Sequence, residues 1–151
     1  MLRERFNEAL KAAMRAKDVL AVSTVRLILA RLKERDIEVR PKGNATGIAD
    51  PEIQQMLQGM IKQRRESIEL YEKGGRPELA AKEAGEIAII ERFLPQQLGE
   101  AEQEAAIKET IAAIGAAGIK DMGRTMAALR ERFTGRIDNA KASQIVKRLL
   151  S

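Results

Sequence analysis

The chain has 151 residues, a length typical of one medium domain or two small helical ones. It contains no cysteine and no histidine, which excludes disulfides, cysteine nucleophiles, Cys/His zinc sites and Ser-His-Asp triads. Aromatic residues make up only 3% and the net charge is +5, a composition that favours helices over a β-sandwich and permits an acidic partner such as RNA.

No stretch of the chain has the roughly 18 consecutive apolar residues of a membrane-spanning helix. The first ten residues, MLRERFNEAL, lack the apolar core of a secretory signal peptide. From these two features we expect a cytoplasmic protein that does not enter the membrane.

Four helices are predicted in the first part of the chain, and the first two follow from apolar spacing and capping. The first helix is predicted over 2–16 from the spacing of Leu2, Phe6, Leu10 and Met14. Asp18 is expected to cap a second helix that reaches about residue 36. Residues 41–49 contain proline, glycine and asparagine without periodicity, and they predict a loop.

The third and fourth helices are predicted to form an antiparallel hairpin. Asp50 is expected to be the N-cap of the third helix, which runs to residue 73 and ends at Gly74-Gly75. The fourth helix is predicted over 77–93, with a proline at its start. Because only a short turn joins the two helices, they should lie antiparallel.

Pro95 marks the boundary that we expect between two helical domains, over 1–95 and 96–151. Proline disfavours helical geometry in the residue before it, so the segment 94–99 is predicted to be a linker. The smaller C-terminal domain is predicted to contain three helices, at about 100–114, 121–133 and 138–150. The predicted fold class is therefore all-α.

Polar side chains interrupt the apolar stripes of the predicted hairpin. Arg64, Ser67 and Tyr71 continue the stripe of the third helix, and Glu83 and Glu86 lie on the stripe of the fourth. Folding the hairpin about its turn brings Arg64 opposite Glu86, and a charge on an apolar stripe is costly unless it is paired. We therefore predict an ion pair from Arg64 to Glu86 or Glu83. We interpret this buried polar cluster as fixing helix register, and a polar groove that binds a ligand or partner is the alternative.

Positive charge is concentrated at the end of the chain. Residues 119–151 hold eight basic and three acidic side chains, whereas residues 98–118 hold one basic and four acidic. Such a segment is typical either of a solvated helix face or of a surface that binds nucleic-acid phosphates. Since few aromatic side chains are available for base stacking, recognition of the RNA backbone or shape is favoured. The predicted phosphate contacts are Lys120, Arg124, Arg136, Lys141, Lys147 and Arg148.

Several separated segments resemble one protein family. They are TVRLILARLKERDIEVR (24–40), KQRRESIELYEKGGRPELAAKEAGEI (62–87), ERFLPQQL (91–98) and DMGRTMAAL (121–129). In this order they resemble the YqeY-like proteins of the GatB/YqeY superfamily. One departure follows Gly135, where the family usually reads Gly-Arg-Ala-Asp-Gly and this chain has Gly-Arg-Ile-Asp-Asn. Asn139 thus replaces a glycine that would have allowed a close approach of an RNA backbone.

The resemblance implies a larger N-terminal helical domain and a small C-terminal domain similar to the tail domain of the GatB subunit. GatB belongs to a tRNA-dependent amidotransferase, and its tail domain contacts tRNA. The family label of carbon–nitrogen ligase activity with glutamine as amido donor describes these relatives, because the chain has no Gly-rich phosphate loop and no Ser-Ser-Lys amidase pattern.

We therefore expect a non-catalytic accessory protein that binds tRNA or another structured RNA. No catalytic residue, metal site or cofactor is predicted. The alternative is a protein-interaction module, in which the groove between the third and fourth helices or the loop over 41–50 docks a partner protein. A third possibility is an amidotransferase component whose chemistry comes from other subunits.

Overall fold

A computed structural model describes all 151 residues, and every regular element in it is helical. The predicted all-α fold is confirmed. The seven α-helices are α1 (Leu2–Arg15), α2 (Val19–Val39), α3 (Asp50–Lys73), α4 (Pro77–Glu91), α5 (Glu100–Ile114), α6 (Met122–Arg132) and α7 (Asn139–Leu150). Short 3-10 turns cover Arg40–Lys42 and Ile119–Asp121. None of the seven helices combines the length and the hydropathy that a bilayer-spanning helix needs.

Local chemistry explains where some of the helices begin. The carboxylate of Asp18 accepts a hydrogen bond from the Ala21 amide at 3.1 Å and caps α2 as predicted. The start of α3 differs by one residue, because Ala49 is its N-cap and Asp50 is already helical. Proline is compatible with any position in the first turn, where amides have no helical partner, so it fixes the start only approximately.

The chain divides into two compact units, unit 1 over Met1–Leu94 and unit 2 over Pro95–Ser151. The core of unit 1 is formed by side chains from α1 to α4, and the rings of Phe6 and Phe93 meet edge to face with centroids 4.9 Å apart. Helix α4 also packs closely against α2 at Gly85. Any larger residue there would collide with Leu20, because its Cβ atom would lie 2.8 Å from a Leu20 methyl carbon. Of the residues whose spacing predicted α1, Leu2 and Phe6 are buried, whereas Met14 is 52% exposed because steps of four residues drift around the helix and away from the core.

Unit 2 is a three-helix structure built from α5, α6 and α7. Each helix contributes a fully buried side chain to the core of this unit, namely Ile107 from α5, Leu129 from α6 and Val146 from α7. The carboxylate of Asp138 caps α7 by accepting from the amides of Ala140 and Lys141 at 2.9 and 3.3 Å.

The segment predicted to be a linker is anchored to unit 2. The Leu98 amide donates to the Arg136 carbonyl at 2.9 Å, and the Gln97 side chain donates to the Pro95 and Gly135 carbonyls. These bonds join the start of the unit to the loop between α6 and α7. No local sequence signal predicts hydrogen bonds between residues about 40 positions apart. The prediction of a linker depended on Pro95 alone and therefore did not include these contacts.

Candidate functional site

The predicted ion pair between α3 and α4 is present. Arg64 Nε donates to Glu86 Oε2 at 2.7 Å, and Arg64 Nη1 donates to the Met60 carbonyl at 3.2 Å. Glu83 Oε2 lies farther away, 4.0 Å from Arg64 Nε. The side chains of Arg64 and Glu86 are only 12% and 9% exposed, so the pair is nearly shielded from water.

Ser67 and Tyr71 do not extend this pair into a hydrogen-bonded network. The Ser67 hydroxyl donates to the Gln63 carbonyl in its own helix at 3.2 Å, and Tyr71 is half-buried on the next turn. The polar part of the cluster thus consists of one arginine and two glutamates. Because the pair is nearly shielded from water and Arg64 is held both by a carboxylate and by its own helix, the arrangement favours the structural interpretation of this cluster.

Three of the six predicted phosphate contacts are exposed lysines without an ion pair, namely Lys120, Lys141 and Lys147. Lys120 lies in the 3-10 turn before α6, and the other two lie near the two ends of α7. The ammonium group of a lysine without a carboxylate partner donates its hydrogen bonds to water. On binding, phosphate oxygens can replace these water molecules as acceptors. These three lysines, called here the free lysines, carry the accessible positive charge of the predicted set.

The three predicted arginines are already engaged within unit 2. Arg148 donates to Glu104 Oε1 on α5 at 3.0 Å, and Arg124 lies 3.4 Å from Asp121 Oδ1. Arg136 Nε donates to the Gln96 carbonyl at 3.0 Å and so helps to anchor the first segment of the unit. The predicted residues are therefore not one uniform basic face, because half of them have protein partners.

Acidic groups neutralise part of the positive charge of unit 2. Arg132 forms an ion pair with Glu109 of α5 at 3.3 Å and donates to the buried Thr110 hydroxyl at 3.1 Å. Near the start of α6, the Ala117 amide donates to the Asp121 carboxylate at 2.9 Å and lowers its pKa, and the positive charges of Arg124 and Lys120 lower that pKa further. Asp121 thus stays ionised and screens the basic residues beside it.

The comparison with protein families identifies the chain's relatives. A family described as YqeY-like protein matches residues 3–150, nearly the whole chain. The chain belongs to the YqeY-like family. This confirms the resemblance carried by the segments at 24–40, 62–87, 91–98 and 121–129.

Curated relatives of this YqeY-like chain bear the name altered inheritance of mitochondria protein 41, mitochondrial. The protein from Lachancea thermotolerans is 34% identical over 87 residues, which cover 58% of this chain and 44% of the relative. The Eremothecium gossypii protein is 34% identical over 85 residues (56% and 44%), and a Saccharomyces cerevisiae protein over 88 residues (58% and 45%). The match spans less than half the length of these relatives.

The names of these relatives contradict the expected cytoplasmic localisation, since they place similar proteins in mitochondria. That expectation depended on the absence of an apolar signal core and of a membrane span. Mitochondrial targeting segments are amphipathic and rich in arginine and serine, so neither absence distinguishes the cytoplasm from mitochondria.

Sequence reasoning missed a second ion pair, in unit 1 of the YqeY-like chain. Arg3 donates to both carboxylate oxygens of Asp36 at 2.6 and 2.9 Å and to the Ile48 carbonyl at 2.7 Å, while the Ile48 amide donates back to Asp36 at 2.9 Å. The Arg3 hydrogen bond lowers the pKa of Asp36, and the Ile48 amide lowers it further. This arrangement holds the end of the loop before α3 against α1 and α2. That loop is one of the places where the sequence suggested a docked partner.

Proposed function

We propose that this YqeY-like chain is a non-catalytic accessory protein that binds tRNA or another structured RNA through unit 2. The observation that carries the proposal is the net charge of +5 over residues 119–151, where the free lysines Lys120, Lys141 and Lys147 lie exposed without carboxylate partners. Each lysine that neutralises a phosphate releases condensed counterions, which favours binding.

Unit 2 supports recognition of the RNA backbone and shape rather than of stacked bases. Its one aromatic residue, Phe133, is half-buried and packs against the core of the unit, with the Arg132 guanidinium 5.7 Å from its ring centre. A side chain in that position has no free face for a base. Proteins that bind double-stranded RNA read phosphates and 2′-hydroxyls across the minor groove without stacking.

The free lysines and the arginines have different parts in this proposal. Lys120, Lys141 and Lys147 contact phosphates directly, since none of them is held in an ion pair; the neighbouring Asp121 carboxylate reduces the contribution of Lys120. Arg124 and Arg148 already form exposed ion pairs with Asp121 and Glu104, so a phosphate contact adds less at these positions. Arg136 keeps its bond to the Gln96 carbonyl and maintains the loop that precedes α7.

The relation to tRNA-dependent amidotransferases is part of the same proposal. The chain supplies RNA binding, and any glutamine-dependent chemistry belongs to other subunits, because no nucleophile is placed beside an activating base here. Glutaminase or transamidation activity of this chain alone would contradict that division.

Filter binding of tRNA to the full chain at several salt concentrations tests the proposal. Three phosphate contacts predict an affinity that falls about fortyfold between about 50 and 200 mM salt, whereas six contacts predict a fall of more than about a thousandfold. The triple variant K120E/K141E/K147E is expected to lose at least about tenfold in affinity.

The matched control for that variant is K33E/K62E/K82E, which makes the same charge change at exposed, unpaired lysines of unit 1. The control variant should bind tRNA nearly as well as the wild type. Equal losses in both triple variants would attribute binding to total charge, and the absence of tRNA binding at about 50 mM salt would refute the proposal.

A further inference from the structure

The turn between α1 and α2 in unit 1 borders an apolar surface depression open to solvent, called here the cavity, that the RNA-binding proposal does not use. Its volume is about 360 Å³, and it is lined by Met14, Lys17, Val19, Val22, Ser23 and Arg26. Val19 is 81% exposed and Met14 is 52% exposed, although both are large apolar residues. Water therefore covers apolar surface here that a partner could bury with a gain in free energy.

The backbone at this turn has an unusual conformation. Lys17 has φ = 55°, and every other positive φ in the chain belongs to a glycine. The amides of Lys17 and Asp18 donate to the carbonyls of Met14 and Ala13, so Lys17 occupies the left-handed position that ends a helix and that glycine usually fills. Gly75 and Gly115 fill the corresponding positions after α3 and α5. A lysine at such a position suggests a function for its side chain.

The charges around the cavity are positive and unpaired. Neither Lys17 nor Arg26 forms an ion pair, and the nearby Asp18 is occupied in capping α2. The Ser23 hydroxyl donates to the Leu20 carbonyl of its own helix. The cavity thus presents an apolar floor beside two free cations, and no side chain of its lining supplies negative charge.

We propose that this cavity binds a peptide segment of a partner protein that inserts an apolar side chain and places flanking carboxylates beside Lys17 and Arg26. Two features favour this occupant. The exposed surfaces of Met14 and Val19 are buried favourably only by an apolar group, which a phosphate or nucleic-acid backbone does not supply. The two cations require a negative charge next to that group, and an Asp or Glu adjacent to Leu, Ile or Phe provides both within a few residues. This partner site lies outside unit 2 and does not depend on RNA binding.

A random peptide library displayed on phage, selected against the full-length chain, tests the proposal without a known ligand. The expected result is enrichment of peptides that combine a large apolar residue with neighbouring Asp or Glu. An enriched peptide is then synthesised with a fluorophore, and its affinity is measured by fluorescence anisotropy. K17E/R26E is expected to weaken binding of that peptide by about tenfold or more, and V19S should also weaken it.

The control variant K62E/K82E has the same charge change on α3 and α4 and should leave peptide affinity unchanged. Lys17→Gly separates a binding role from a structural one, because glycine adopts φ = 55° without strain. We expect it to raise the Tm and at the same time to weaken peptide binding.

Three outcomes would overturn the proposal: no enrichment, enrichment of basic peptides, or peptide affinities that are equal in the wild type and K17E/R26E. Self-association that K17E/R26E abolishes, measured by sedimentation, would assign the cavity to a second copy of the chain instead.

Discussion

The ion pair between Arg64 and Glu86 gives a quantitative prediction about stability. Removing one partner of a fully buried pair costs about 3–5 kcal/mol, because the other charge is left without compensation. Arg64→Met leaves the Glu86 carboxylate nearly buried without its arginine, so we expect a loss of about 3 kcal/mol. Glu86→Leu leaves Arg64 with the Met60 carbonyl at 3.2 Å and Glu83 at 4.0 Å, so we expect a smaller loss of about 2 kcal/mol.

The double variant R64M/E86L removes both charges and fills the site with apolar groups of similar size. Replacement of a buried pair by packed apolar residues is often close to neutral, so we expect a change within about 1 kcal/mol of the wild type. The double-mutant cycle should therefore give a coupling energy of about 4 kcal/mol or more between the two positions, because the two single losses largely disappear in the double variant.

Tyr71 provides the assay. It is the only tyrosine, the chain has no tryptophan, and it lies on α3 in unit 1, so its fluorescence reports unfolding of the unit that contains the pair. Urea titrations of the four proteins give the free energies of unfolding by linear extrapolation. A coupling energy below about 0.5 kcal/mol, or equal losses for the two single variants, would refute the reasoning.

Two further predictions concern the other carboxylates that hold helices and loops. Because the bond from Arg3 lowers the pKa of Asp36, this carboxylate stabilises the fold above its unfolded pKa of about 3.9, and that contribution is lost as the pH falls through the lowered value. D36N should therefore be less stable than the wild type at pH 7 by Tyr71 fluorescence, and the difference should shrink steadily below about pH 4; a constant difference would contradict this. D138A removes the cap of α7 and should cost about 1 kcal/mol, measured by faster amide hydrogen exchange at Ala140 and Lys141, with D138N as the control that retains the cap.

The sequence predicts features of this fold that local chemistry determines. Glycine and acidic capping residues act on the adjacent turn, so the bounds of α5 and the start of α7 follow from residues such as Gly115 and Asp138. The pair between Arg64 and Glu86 was predictable for a related reason: a turn of fixed position sets the register of two antiparallel helices, so the charges on their facing stripes must meet.

Contacts between distant elements could not be predicted in this way. Arg3 and Asp36 are 33 residues apart, and the Ile48 backbone joins them only after α1, α2 and the following loop have packed. The pairing of Arg148 with Glu104 spans 44 residues and changes the interpretation of the basic helix face. A count of charges along the sequence treats Arg3 and Arg148 as unpaired cations, whereas in the folded protein each forms an ion pair with a carboxylate.

The two proposed surfaces differ in how their binding free energy divides between charge and apolar burial. The free lysines of unit 2 have no exposed aromatic platform beside them, so binding there depends on phosphate neutralisation and weakens steeply with salt. The cavity of unit 1 adds only two cations to a larger apolar contribution, which salt does not screen. Raising the salt concentration should therefore release tRNA while a bound peptide remains. If both ligands depart together, the peptide is held by charge alone, and the apolar contribution assigned to the cavity would be wrong.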